Sequence, residues 1–150
     1  MDLIEKITDR LRAFTLLPDY SSEEPDLLNH VVGELRDLLG EQYQIISESW
    51  DEEESVKTLG CSFWPDILVR QNGEDLLVLE LKLVKKADKP RSPSKAYAET
   101  MGQCAIYSTK YPAVIGLVVN YGLHNPEHIV FDTEIHKLLE GHQIRLVIRQ

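Results

Sequence analysis

Apolar residues in the first forty positions recur at steps of three and four. Leu3, Ile4, Ile7, Leu11 and Phe14 mark one amphipathic helix over 2–14. Leu27, Leu28, Val31, Val32, Leu35, Leu38 and Leu39 mark a second, closed by Gly40. The intervening LLPDYSSEEP is a loop that ends in a helix start, with Ser21 or Ser22 as cap and Glu23 and Glu24 suited to the positive helix end. The period then changes. YQIISESW (43–50), SFWPDILVR (62–70) and DLLVLELKLV (75–84) predict strands, and the last two are joined through Gln71-Asn72-Gly73-Glu74, an Asn-Gly hairpin signal. DEEES (51–55) predicts a solvated, mobile acidic loop. Pro90 and Pro93 break the chain before a helix from Ser94 to Lys110, and AVIGLVVNY (113–121) predicts a strand buried on both faces. The tail predicts a strand at HIVFD (128–132), a short helix over Glu134 to Glu140, and a last strand at QIRLVIR (143–149). The order α-α-β-β-β-α-β, plus a terminal extension, predicts an α/β fold with a mixed sheet flanked by helices.

Two residues break the hairpin's apolar pattern. Side chains alternate along a strand, so Leu77, Leu79, Leu81 and Leu83 share a core face, while Leu76, Val78, Glu80, Lys82 and Val84 share the other. Burying Glu80 and Lys82 costs several kcal/mol per ion unless other groups compensate. The plain alternative is an exposed strand end with the lysine snorkelling outward. Asp66, just after Pro65, lies opposite Glu80 to within about a residue in the hairpin, so two carboxylates and an ammonium converge. Two hard carboxylates suit Mg²⁺, which binds a phosphate oxygen and acidifies a bound water, while a lysine orients that water or stabilises developing negative charge.

Pro65-Asp66 followed 14 residues later by Glu80-Leu81-Lys82 resembles the PD-(D/E)xK signature of the restriction-endonuclease-like nucleases. The resemblance implies a restriction-endonuclease-like sheet and a nuclease dependent on Mg²⁺ or Mn²⁺. It implies that Asp66 and Glu80 hold the metal and that Lys82 assists the attacking water. Members often carry a further metal-site glutamate on a helix before the first strand, which Glu34 in HVVGELRDLLG matches, with His30 a weaker extra candidate; a solvated helix charge is the alternative for Glu34. One branch carries QxxxY on the helix after ExK, matched by Gln103 and Tyr107, which that branch uses to brace the site or contact nucleic acid. An ordinary amphipathic helix with a core tyrosine is the alternative. The hairpin is similar to the nuclease segment of type I restriction subunits, and the helix–strand order to Holliday-junction resolvases; the choice between them stays open.

A length of 150 residues fits one domain, here 1–150. The net charge of −9 opposes a nucleic-acid partner until its distribution is considered. Residues 1–60 hold 15 acidic and 5 basic side chains, whereas residues 61–150 hold 10 and 11. Lys82, Lys85, Lys86, Lys89, Arg91 and Lys95 crowd into residues 82–95 against Asp88 alone, where they can neutralise a phosphate backbone; a solvated loop is the alternative. DNA is the expected polymer, a homodimer or a partner protein subunit would help a chain this small engage a duplex, and no membrane partner is expected. Cys61 and Cys104 lack zinc-site spacing and are expected to be reduced thiols. No signal-peptide apolar stretch follows the N-terminus, so a cytoplasmic protein is expected. Pro126 between His124 and His128 argues against a helical zinc pair. The expected activity is therefore phosphodiester hydrolysis, with a non-catalytic nucleic-acid-binding or assembly subunit as the alternative.

Overall fold

A computed structural model describes residues 2–18, 20, 24–47, 51–85, 94–121 and 133–149. The helical periodicity of the first forty residues becomes α1 (Leu3–Ala13), which buries Ile4, Ile7 and Leu11, and α2 (Glu24–Leu39), which buries Leu27, Val31, Val32, Leu35 and Leu39. Gly40 ends α2 at φ +75°, a conformation that costs glycine little. Both helices cover one face of a five-stranded sheet ordered β1-β4-β5-β6-β7. Its strands are β1 (Gln44–Ile46), β4 (Ile67–Gln71), β5 (Glu74–Val84), β6 (Val114–Asn120) and β7 (Ile144–Arg149). β1, β4 and β5 pair antiparallel, while β5, β6 and β7 pair parallel. Parallel neighbours need crossover connections, supplied by α3 (Ser94–Tyr107) and α4 (Thr133–Gly141). These two pack on the opposite face, so the protein is an α/β fold with a mixed sheet between helices. All seven residues of β6 are buried, as its continuous apolar run requires. No helix among the described residues is long and apolar enough to cross a membrane.

Three local features differ from the sequence expectation. SFWPDILVR is two strands: β3 (Cys61–Phe63) ends before Trp64-Pro65-Asp66, and β4 starts at Ile67. Pro65 has no N–H to give a ladder, which separates the two. The acidic run is a built element, with Glu52–Glu54 in a 3-10 turn. Lys110 Nζ bonds the Glu53 and Ser55 carbonyls, the Tyr111 hydroxyl donates to the Glu54 carbonyl, and the Glu54 carboxylate faces Arg70 at 3.7 Å. Finally, the register of β4 and β5 shifts between Val69 and Arg70. That shift turns Leu76 toward the α1/α2 side, away from the face where strict alternation had put it. The expected strand at 128–132 and the caps Ser21 and Ser22 lie outside the described residues.

β3 also pairs with β2 (Val56–Thr58) in a separate two-stranded ribbon that the sequence reading missed. Its turn is Leu59-Gly60, at φ +52° and +74°, nearly the angles of Asn72-Gly73 in the β4–β5 hairpin at +53° and +76°. Asparagine tolerates this left-handed region, whereas leucine does so at a cost. Leu59 is also 97% exposed, so no packing offsets that cost. Leu59→Asn is therefore expected to stabilise the protein by about 0.5–1 kcal/mol, measured as a higher urea midpoint with an unchanged m-value.

Candidate active site

The β4–β5 register brings the two acids of the hairpin together. Ile67 pairs with Leu79, so the next position places Asp66 opposite Glu80. The Asp66 N–H donates to the Leu79 carbonyl at 3.0 Å. The Leu81 N–H donates to Asp66 Oδ2 at 2.7 Å. Asp66 thus continues the ladder with its own carboxylate beyond the end of β4, which fixes that carboxylate against β5. Leu68 and Val78, the next pair along, face α3, and alternation puts Asp66 and Glu80 on that same face.

Glu80 is only 7% exposed. Its register partner on β6 is Gly116. A Cβ on Gly116 would lie 2.9 Å from Cys104 Sγ, 2.9 Å from Leu146 Cδ2 and 3.1 Å from Thr100 Cγ2. The missing side chain lets α3 settle onto the sheet beside Glu80. Tyr107, one turn beyond Cys104, is fully buried there, and its hydroxyl donates to the Trp64 carbonyl at 2.9 Å. Burial raises the Tyr107 phenol well above its ordinary range, and the charge of Glu80, a hydrogen bond with it and the charge of Asp66 add to the rise. Tyr107 therefore stays neutral and braces α3 against the segment that carries Asp66. Burial, with the charge of Glu80 second, pushes the Cys104 thiol up to about 12, so it is no nucleophile at neutral pH. Cys61 is a free, exposed thiol.

The face of α3 that does not touch the sheet forms the wall of a cleft. Glu80, Leu81, Lys82, Glu99, Gly102, Gln103 and Ile106 line about 410 Å³. Lys82 reaches Glu99 Oε2 at 3.1 Å. Of the residues singled out in the sequence, the fold gathers Asp66, Glu80, Lys82, Gln103 and Tyr107 around β5 and α3. Glu99 was missed, although it stands four residues before Gln103 on the same helix face. Gly116 was missed too, although a glycine inside an apolar strand is itself a signal of close approach.

Glu34, expected as a third metal carboxylate, is not among the residues gathered there. It lies on α2, across the sheet, and Arg10 of α1 holds its Oε2 at 2.8 Å. His30 is beside it, with Nε2 at 3.8 Å from Glu34 Oε1 and Nδ1 at 2.8 Å from the Tyr20 hydroxyl. That hydroxyl also accepts the Leu17 N–H. Among the described residues, no group of three or more His, Cys, Asp and Glu side chains is placed to hold a metal ion. Lys85 is exposed just past β5, and Lys95 lies on α3 with Nζ 3.9 Å from Glu99 Oε1. Lys86, Lys89, Arg91, His124 and His128 lie outside the described residues.

No protein-family model matches the chain, and neither does any curated protein or solved structure. The site's donors are two carboxylate side chains on one face, a set that fits Mg²⁺, which keeps waters and takes only one or two protein carboxylates. Because the cleft depends on the approach of α3, Gly116→Ala is expected to destabilise the protein by about 1–3 kcal/mol, read from denaturant unfolding. Gly33→Ala, where no atom lies within 4 Å of the added Cβ, is the control and should match or exceed wild type.

Proposed function

We propose that this protein is a metal-dependent nuclease that hydrolyses phosphodiester bonds, with DNA as its polymer, on a restriction-endonuclease-like core. The observation that carries the reading is the convergence of Asp66, Glu80 and Lys82 on one face of the hairpin, beside an open cleft. Asp66 and Glu80 would hold Mg²⁺ or Mn²⁺. The ion would supply charge for the scissile phosphate and a more acidic water. Lys82 presents a positive charge to the phosphate and stabilises the charge that develops there. Gln103 lines the same cleft and can donate to a strand lying in it. Tyr107, a neutral phenol tied to Trp64, acts as a brace. Two hairpins in a homodimer, or one beside a partner subunit, would extend the contact with a duplex. Of the basic residues after β5, Lys85 and Lys95 would approach its backbone.

A binding or assembly subunit without catalysis is the second reading. It is favoured by the net charge of −9 and by the gathering of two acids, not three, among the described residues.

Labelled single-strand, duplex, flap and junction DNA and RNA, incubated with Mn²⁺ or Mg²⁺, test the activity. Cleavage is expected with wild type, is abolished by Asp66→Ala, and falls by about a hundredfold or more with Lys82→Ala. Wild type and Asp66→Ala behaving alike on every substrate would sink the nuclease reading. Calorimetry with Mn²⁺ separates the second one: Glu80→Gln should abolish ion binding, whereas Glu34→Gln should leave it unchanged because that carboxylate serves Arg10.

A further inference from the structure

Glu99 has no part in the chemistry proposed above, yet it touches the residue that chemistry uses most. Its place follows from the two faces of α3. Thr100, Cys104 and Tyr107 are buried toward the sheet. Glu99, Gly102, Gln103 and Ile106 form the adjoining face and line the cleft. Thr100 and Cys104 rest where a side chain on Gly116 would have stood, and this settling of the helix carries Glu99 down toward β5. Its carboxylate there meets the Lys82 ammonium at 3.1 Å through Oε2, and Oε1 is 3.9 Å from Lys95 Nζ.

The lysine has a second carboxylate near at hand. Lys82 and Glu80 stand two residues apart on one strand face, both lining the cleft. A lysine side chain is long, with many rotamers, and an ammonium that folds back onto Glu80 would neutralise a charge that a cation needs. The Glu99 contact ties Nζ to α3. Resting on the nuclease reading, we propose that Glu99 is a positioning residue: it fixes the Lys82 ammonium on the helix side of the cleft, where it meets the substrate phosphate. An exposed pair of this kind adds little to stability, so its effect lies in where it holds the lysine.

Two measurements on the full chain test this. The first needs no activity: limited acetylation followed by mass spectrometry, with the exposed Lys57 as internal reference. Glu99→Gln should raise the labelling rate of Lys82 relative to Lys57 by about threefold or more, since freeing the ammonium removes its contact. An unchanged ratio overturns the proposal. The second is a double-mutant cycle on DNA cleavage. Glu99→Gln should lower kcat by about tenfold with KM little changed, and should have no further effect in a Lys82→Ala background. An equal loss in both backgrounds would mean that Glu99 acts without Lys82 and would also overturn it. Circular dichroism and melting of each variant guard against misfolding. If wild type shows no Asp66-dependent cleavage, the nuclease reading fails by itself, and the acetylation ratio still decides whether Glu99 holds Lys82.

Discussion

The close approach of α3 to β6 at Gly116 is the contact on which the site depends. A sheet and a helix ordinarily stand apart by the bulk of the side chains between them. Here the absence of one side chain, directly beside Glu80, lets Thr100 and Cys104 sit down on the strand. Three consequences follow from that settling. Glu80 becomes buried, Tyr107 comes within reach of the Trp64 carbonyl, and Glu99 comes within reach of Lys82. The cleft is what remains between a helix lowered at one place and a strand that continues past it.

Charges near this contact are arranged by elements of different kinds. Asp66 is held by the backbone, through the N–H of Leu81 and its own N–H on Leu79. Lys82 is held by a side chain from a helix. On the far face, Arg10 gathers Glu34 and Asp37 into an ion cluster that joins α1 to α2. The protein therefore separates a cluster that ties two helices together from a set of acids poised at an opening. Of the fifteen acidic residues in the first sixty, six stand in ion pairs among the described residues, the Glu54–Arg70 contact among them.

Much of this was legible in the sequence, and for physical reasons. Periodicity located both first helices, the β4–β5 hairpin and the buried strand, because each buries a continuous apolar face. Asn72-Gly73 located the hairpin and brought Asp66 to within a residue of Glu80, but a two-residue turn by itself would pair Asp66 with Leu79. The shift between Val69 and Arg70 supplies the last residue and sets Asp66 opposite Glu80. What escaped was information carried by exceptions. Leu59-Gly60 uses a leucine where the turn prefers asparagine, so the ribbon it closes gave no signal. Leu76 changed sides through a bulge that no composition announces. The surroundings of Glu34 on α2 were not legible either, because alternation within a strand cannot say which face of a sheet a helix will cover.

The change from antiparallel to parallel pairing at β5 also bears on how the site is put together. Asp66 meets Glu80 across a two-residue turn, a contact that a short stretch of chain makes alone. Lys82 meets Glu99, and Tyr107 meets Trp64, only after α3 has crossed the sheet and β6 has docked beside β5. Loop-closure entropy favours the first event and delays the second. The two acids need only the hairpin to come into register, whereas the wall that encloses them needs the parallel strands. The floor of this site is local along the chain, and its wall is not.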